Sequence, residues 1–242
     1  MGAAVISMQG VTRVFETAAG LVRGVSDISL EVERGEMACV IGPAGSGKTT
    51  LVSMLALLDR PTLGTYRLEG LDTATLSDAD CAHLRATRLG LLSARVGLLP
   101  HETVVQNVAL PLAYGGVARA ERLRLAEEAL LAVGLPPACF DVRAEELAQS
   151  QRCRVAIARA AASKPSVVLA DEPTRGLGRE DEEMVLEALV RLCDAGATVV
   201  VATCDEEVAV RCDRRVRLSG DGRLAGRVPL ASGEGAGERG SS

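Results

Sequence analysis

The run Gly42-Pro43-Ala44-Gly45-Ser46-Gly47-Lys48-Thr49 constrains this chain more than any other stretch. An apolar, strand-like segment (Cys39-Val40-Ile41) leads into it, and a helix-compatible stretch from Thr50 to Leu58 follows. That context separates a phosphate-binding loop from a chance glycine turn. The glycines let the backbone wrap closely, so that its N–H groups point at phosphate oxygens, and the helix that starts there adds the positive end of its dipole. Residues Gly42 to Thr50 are therefore the candidate nucleotide-binding set. Lys48 would reach the outer phosphates, and the Thr49 hydroxyl would sit on a magnesium ion. Of the 27 Lys and Arg residues only two are Lys, Lys48 and Lys164. A compact ammonium fits inside a ring of backbone amides, where a planar guanidinium fork does not.

A chain of 242 residues is enough for one large domain or two small ones. Apolar residues make up 48% but aromatics only 2%, so the core must come from Val, Leu, Ile and Ala, as suits buried parallel strands in an α/β protein. No apolar run approaches the ~20 residues that span a bilayer, and the N-terminus shows no signal-peptide pattern, so a soluble, intracellular chain is expected. The net charge of -5, with acids and bases interspersed, argues against a nucleic-acid partner. Cys39, Cys81, Cys139, Cys153, Cys193, Cys204 and Cys212 lack metal-ligand spacing and read as free thiols acting as small apolar residues. His83 and His101 read as surface residues.

Alternation in Ile28-Ser29-Leu30-Glu31-Val32 marks a half-buried strand, and Arg34-Gly35-Glu36 turns into the strand before the loop. Arg60-Pro61-Thr62-Leu63-Gly64 breaks the helix after the loop, and Thr65 to Leu68 predicts another strand. Ala79 to Thr87 is helix-like and leads into the apolar run Leu89-Gly90-Leu91-Leu92. From about Ser93 to Ser163 the pattern is helical, most clearly over Glu121 to Val133. Strand-like runs return at Val167 to Ala170 and Ala197 to Ala202, each between helical segments. The expected fold class is α/β, with helices on a mainly parallel sheet. Gly220-Asp221-Gly222 signals a turn, and Ala231 to Ser242 predicts a disordered tail.

Val167-Val168-Leu169-Ala170-Asp171-Glu172 puts two carboxylates at the end of a buried strand. Beside a phosphate-binding loop, such an Asp completes the magnesium shell and the following Glu can polarise an attacking water. Asp171-Glu172-Pro173-Thr174, with the preceding Arg152…Arg159 helix, resembles an ATP-binding cassette (ABC) ATPase. Leu58-Asp59-Arg60-Pro61-Thr62 and Gln106-Asn107-Val108-Ala109-Leu110-Pro111-Leu112 resemble the branch that serves lipoprotein-release, macrolide-export and cell-division permeases. The resemblance covers residues 4–228. It implies a RecA-like P-loop NTPase lobe (about 1–92 and 164–230) with an inserted helical subdomain (about 93–163). It further implies ATP and Mg2+ as cofactors, Thr49 and Asp171 as metal ligands and Glu172 as the catalytic carboxylate. A head-to-tail dimer, with itself or a second such subunit, would sit beneath an integral-membrane permease at the inner face of the cell membrane. Phe15 falls where the family stacks an aromatic on adenine; an ordinary core Phe is the other reading.

Four further family positions are altered. The Gln that follows the Leu89–Leu92 strand is Ala94. The signature L-S-G-G-Q reads Leu147-Ala148-Gln149-Ser150-Gln151, so Ala148 lacks the hydroxyl that grips the partner's γ-phosphate and Gln149 adds a side chain where close approach needs Gly. Ser150 stands two places away from the lost hydroxyl. The Asp after Thr174-Arg175-Gly176-Leu177 is Gly178. The switch His is Cys204, which cannot hold the γ-phosphate and water in the same way. The expectation is an ATP-binding subunit that couples nucleotide state to a permease, with weakened hydrolysis. The alternative is an active transport ATPase in a homo- or heterodimer, since Glu172 is kept.

Overall fold

Two long antiparallel strands open the chain, β1 (Ala4–Thr17) and β2 (Gly20–Glu33). In β2 the predicted alternation is present: Ile28, Leu30 and Val32 are buried while Ser29 and Glu31 face solvent. The computed structural model describes residues 4–18, 20–93 and 97–228. Ala94 and the predicted tail 231–242 lie outside these. Next comes β3 (Met37–Ile41), buried along its whole length, which runs through the glycine loop into α1 (Lys48–Leu55). Then follow β4 (Leu63–Leu68), β5 (Leu71–Asp72), α2 (Asp78–Arg88) and β6 (Leu89–Ser93). The predicted helical stretch resolves into α3 (Val104–Tyr114), α4 (Arg119–Ala132) and α5 (Gln149–Ala161). The remainder alternates: β7 (Val167–Asp171), α6 (Arg179–Asp194), β8 (Thr198–Thr203), the short α7 (Glu206–Ala209), β9 (Arg214–Leu218) and β10 (Leu224–Val228).

The strands form two sheets. One is six-stranded, in the order β10-β9-β3-β8-β7-β6, and parallel throughout except for β10. The other, β2-β1-β4-β5, is four-stranded and antiparallel. The expected mainly parallel sheet is the first; of the second, the strands over Ile28–Val32 and Thr65–Leu68 were expected, but not their assembly into an antiparallel sheet with β1. Register shifts break the β1–β2 pairing at Met8/Val11, Val11/Arg13 and Arg13/Val14, so no clean period of two runs through β1.

One apolar core fills the space between the sheets around α1, with Ile6, Met8, Leu51, Met54, Leu55 and Tyr66 all at most 2% exposed. A second, on the opposite face of the parallel sheet, takes its helix residues from α5, α6 and α7. A third is helical, packing Val104, Val108, Leu130 and Val155 of α3, α4 and α5. Asn107, fully buried on α3, exchanges hydrogen bonds with the Leu99 backbone, its Oδ1 accepting from N at 2.7 Å and its Nδ2 donating to O at 3.0 Å. That side chain fixes the segment that leaves β6. The seven cysteines are free thiols as expected, and a hydrogen bond to Cys212 together with burial pushes the Cys39 thiol up. Cys204 is exposed, which the apolar reading did not anticipate.

Candidate nucleotide site

Three neighbouring strands end together. Gly42, just past β3, donates its N–H to Thr203 O at the end of β8 (3.2 Å), and Glu172, just past β7, donates its N–H to Ala202 O (2.8 Å). Ligand sites in open α/β sheets form at such carboxyl ends. The glycine loop curls here because its backbone can go where other residues cannot. Gly47 has φ 94°, and a Cβ on it would lie 1.9 Å from Gly24 O. Gly47 also begins α1, so the free N–H groups of the first turn open towards the loop.

Lys48 is 5% exposed, and its Nζ donates to Gly42 O (2.8 Å) and Pro43 O (2.9 Å) while lying 3.3 Å from Glu172 Oε1. Thr49 Oγ1 donates to Asp171 Oδ1 at 3.4 Å. Asp171 is buried at the last position of β7, and Glu172 follows with φ 48°. A non-glycine residue held there costs about 1–3 kcal/mol and persists only where its surroundings fix it. They do: Glu172 Oε2 accepts from Thr203 Oγ1 (3.3 Å), Cys204 N (3.2 Å) and Cys204 Sγ (3.6 Å).

A cavity of about 720 Å³ lies over this cluster, lined by Ala44, Gly45, Gly47, Lys48, Thr49 and Thr50 on one side and Asp171 and Glu172 on the other. Phe15 also lines it. The ring packs against Gly24 and Thr50 so tightly that a Cβ on Gly24 would sit 2.8 Å from Phe15 Cε2. The Arg13 guanidinium, tied to Asp59 Oδ2 at 2.8 Å, covers the ring at 4.6 Å and does not line the cavity. Phe15 is thus partly buried and borders the cavity. Ser46 Oγ, 1% exposed, has no partner among the described residues. The cradle, the buried ammonium and the paired hydroxyl and carboxylate fit a magnesium-bound polyphosphate.

The structure therefore brings Phe15, the loop, Asp171, Glu172 and Cys204 together. Of the other altered positions, those among the described residues lie apart from this group. Ala148 caps α5 and Gln149 and Ser150 start it, and Gln149 borders a second cavity of about 440 Å³ with Arg152, Cys153 and Pro173; Arg175 lines both this cavity and the one over Lys48. Ala148 offers no side-chain acceptor to the helix; instead Gln151 Oε1 reaches back to accept from Ala148 N at 3.0 Å. Gly178 precedes α6, exposed and without a side-chain cap. Two residues of the site went unread in the sequence. Thr203 was visible only as the end of an apolar run, and Arg175 as part of a turn.

The architecture and the loop define a P-loop nucleotide-binding cassette. A family model described as ABC transporter matches residues 25–175. The lipoprotein-releasing system ATP-binding protein LolD 1 of Caulobacter vibrioides is 41% identical over 227 residues, which cover 93% of this chain and 96% of that protein. The macrolide export ATP-binding/permease protein MacB of Salmonella typhimurium is 38% identical over 226 residues, 93% of this chain but 35% of MacB. The chain thus spans about a third of the length of MacB. Among solved structures, the ATP-binding cassette MJ0796, in a dimeric post-hydrolysis state bound to ADP and Pi, matches with a TM-score of 0.85. That match is 30% identical and covers 93% of this chain and 98% of that one. The chain belongs to the ABC transporter ATP-binding family.

Proposed function

We propose that the chain is the Mg-ATP-binding subunit of an ABC transporter of the macrolide-export and lipoprotein-release type, coupling nucleotide state to an integral-membrane permease while hydrolysing ATP slowly. The observation that carries this is the cluster at the strand ends, where Lys48, Thr49, Asp171 and Glu172 meet beneath the glycine loop. Lys48 and the loop N–H groups bind the phosphates, and Phe15 holds the base. Thr49 and Asp171 would hold a magnesium ion, which would neutralise phosphate charge. Glu172 accepts the proton of the attacking water, its carboxylate oriented by Thr203 and the Cys204 N–H.

Weakened hydrolysis follows from what stands around Glu172. The Cys204 thiol touches the carboxylate, but it is a shorter and weaker donor than an imidazole. Loss of one transition-state donor costs ~100–1,000-fold, and such losses do not add. From a turnover of ~10 per second, a combined loss of about 10³–10⁵ leaves one event per minutes to hours.

The same reading assigns residues 1–92 and 164–230 to the ATP-binding lobe and 93–163 to a helical subdomain, supported by the separate core of α3, α4 and α5. Because the α5 N-terminus borders no part of its own chain's nucleotide cavity, a full site needs a second subunit placed head to tail. No helix among the described residues is long and apolar enough to cross a membrane, so attachment to the inner face of the cell membrane would come through the permease.

The test is co-purification of the chain with its membrane partner from the native host, with ATPase activity measured on the recovered complex. Turnover slower than one per minute supports the reading. Several ATP per second would show that the altered positions are tolerated and that the subunit is an active transport ATPase.

A further inference from the structure

Arg175 lines the nucleotide cavity alongside Lys48, Thr49, Asp171 and Glu172, yet the P-loop argument gives it no role. Its placement comes from a tight reversal. Glu172 takes a left-handed φ of 48°, Arg175 N donates to Glu172 O (3.2 Å), Leu177 N donates to Thr174 O (3.1 Å), and Gly176 turns the chain again at φ 77°. Pro173 and Thr174 are buried inside the turn and Arg175 is exposed on it. Several arginines elsewhere are committed to carboxylates, such as Arg13 to Asp59, Arg60 to Asp78, Arg211 to Glu183 and Arg214 to Glu36, and others, such as Arg85 and Arg152, to backbone carbonyls. Among the described residues no ion pair or side-chain hydrogen bond engages Arg175.

Charge balance gives that guanidinium a task. The cavity floor holds two carboxylates, and its buried cation, Lys48, is already shared with Glu172 and two carbonyls. A bound triphosphate adds further negative charge at the Glu172 end. Arg23, the other exposed arginine on the wall, follows Val22, the register partner of Phe15, and so stands at the base end. A guanidinium is always charged and presents a planar fork that matches phosphate oxygens.

We propose that Arg175 binds the terminal phosphate of the nucleotide held by its own P-loop, supplying a donor on the side where Cys204 offers only a weak one. The proposal rests on the reading of this cavity as an ATP site. It predicts selectivity for triphosphate over diphosphate, which a general electrostatic effect would not give. In the full chain with magnesium, dissociation constants are measured for ADP and for the non-hydrolysable analogue adenylyl imidodiphosphate. Arg175→Ala should weaken the triphosphate analogue about 10–100-fold, the scale of a hydrogen bond to a charged group, and ADP by less than about 3-fold. Arg175→Lys, which keeps the charge without the fork, should recover part of the loss. The melting temperature without nucleotide should not move, because the side chain is exposed. Equal weakening of both nucleotides, or of neither, overturns the assignment. Lys48→Ala separates the two levels. If it leaves nucleotide affinity intact, the ATP-site reading itself fails; if it abolishes binding while Arg175→Ala shows no selectivity, only the role of Arg175 falls.

Discussion

The starts of α1 and α5 are the same local device, a helix N-terminus without a side-chain cap, put to different use. At α1 the capping residue is Gly47 in a left-handed conformation, the first helical residue is a buried Lys, and two carboxylates face it across a cavity. At α5 the capping residue is Ala148 in an extended conformation, the first helical residue is an exposed Gln149, and the turn closes on itself through Gln151. Both present a partial positive charge of similar size. What differs is the company each keeps. In the function proposed above, the first would bind phosphate with groups from one chain, whereas the second would act across an interface, where it lacks the hydroxyl and the glycine of the family signature.

The contrast breaks most plainly if the α1 end does not bind nucleotide. Mg-ATP at ~1,000 times its dissociation constant should add about 4 kcal/mol of stability, a shift in melting temperature of roughly 10 °C. Lys48→Ala should abolish that shift while leaving the unliganded melting point nearly unchanged, as differential scanning fluorimetry would show. No ATP-dependent shift in the unaltered chain ends the claim.

Next in size is the repair of the altered positions. Ala94→Gln, Ala148→Ser, Gln149→Gly, Ser150→Gly, Gly178→Asp and Cys204→His are best made together, because groups that act as one unit rescue poorly one at a time. Where the protein can homodimerise, steady-state turnover should rise at least ~100-fold, the scale of one recovered donor. Glu172→Gln in the repaired chain should remove the gain, since an amide cannot accept the water's proton. A repaired chain no faster than the original would place the deficit elsewhere.

Phe15→Ala sharpens the base end of the α1 site. Loss of stacking worth about 0.5–1.5 kcal/mol should weaken ATP roughly 2–10-fold, with little change in unliganded stability. Destabilisation by several kcal/mol would return Phe15 to the role of a core residue. The smallest effect belongs to α5. Ala148→Ser supplies the missing acceptor for the first turn and should stabilise the unliganded chain by about 1 kcal/mol, or roughly 2–4 °C in a thermal melt. ATP affinity of the monomer should not respond, because residue 148 borders no part of the cavity.

The sequence by itself determined the parallel strands, the glycine loop, Lys48, Thr49, Asp171 and Glu172, and the resemblance of its motifs pointed to the family. These are local signals: a buried strand needs a continuous apolar run, and a loop wrapped on phosphate needs glycine at fixed places. Of the antiparallel sheet, parts of β2 and β4 were legible but β1 was not, because bulges scramble its period and a bulge is defined by a partner strand. The ion pair of Lys48 with Glu172, the hold of Thr203 on that carboxylate, and the stack of Arg13 on Phe15 join residues 124, 31 and 2 positions apart. Even the last depends on Asp59 across the fold to fix the guanidinium. The tertiary structure alone set how far the described altered positions lie from Glu172. Cys204 touches that carboxylate, at the end of β8 beside β7; Ala148 and Gln149 do not, because α5 carries them to a different cavity. Distance between chemical groups is set by how strands and helices pack, and a motif read along the chain carries no measure of it.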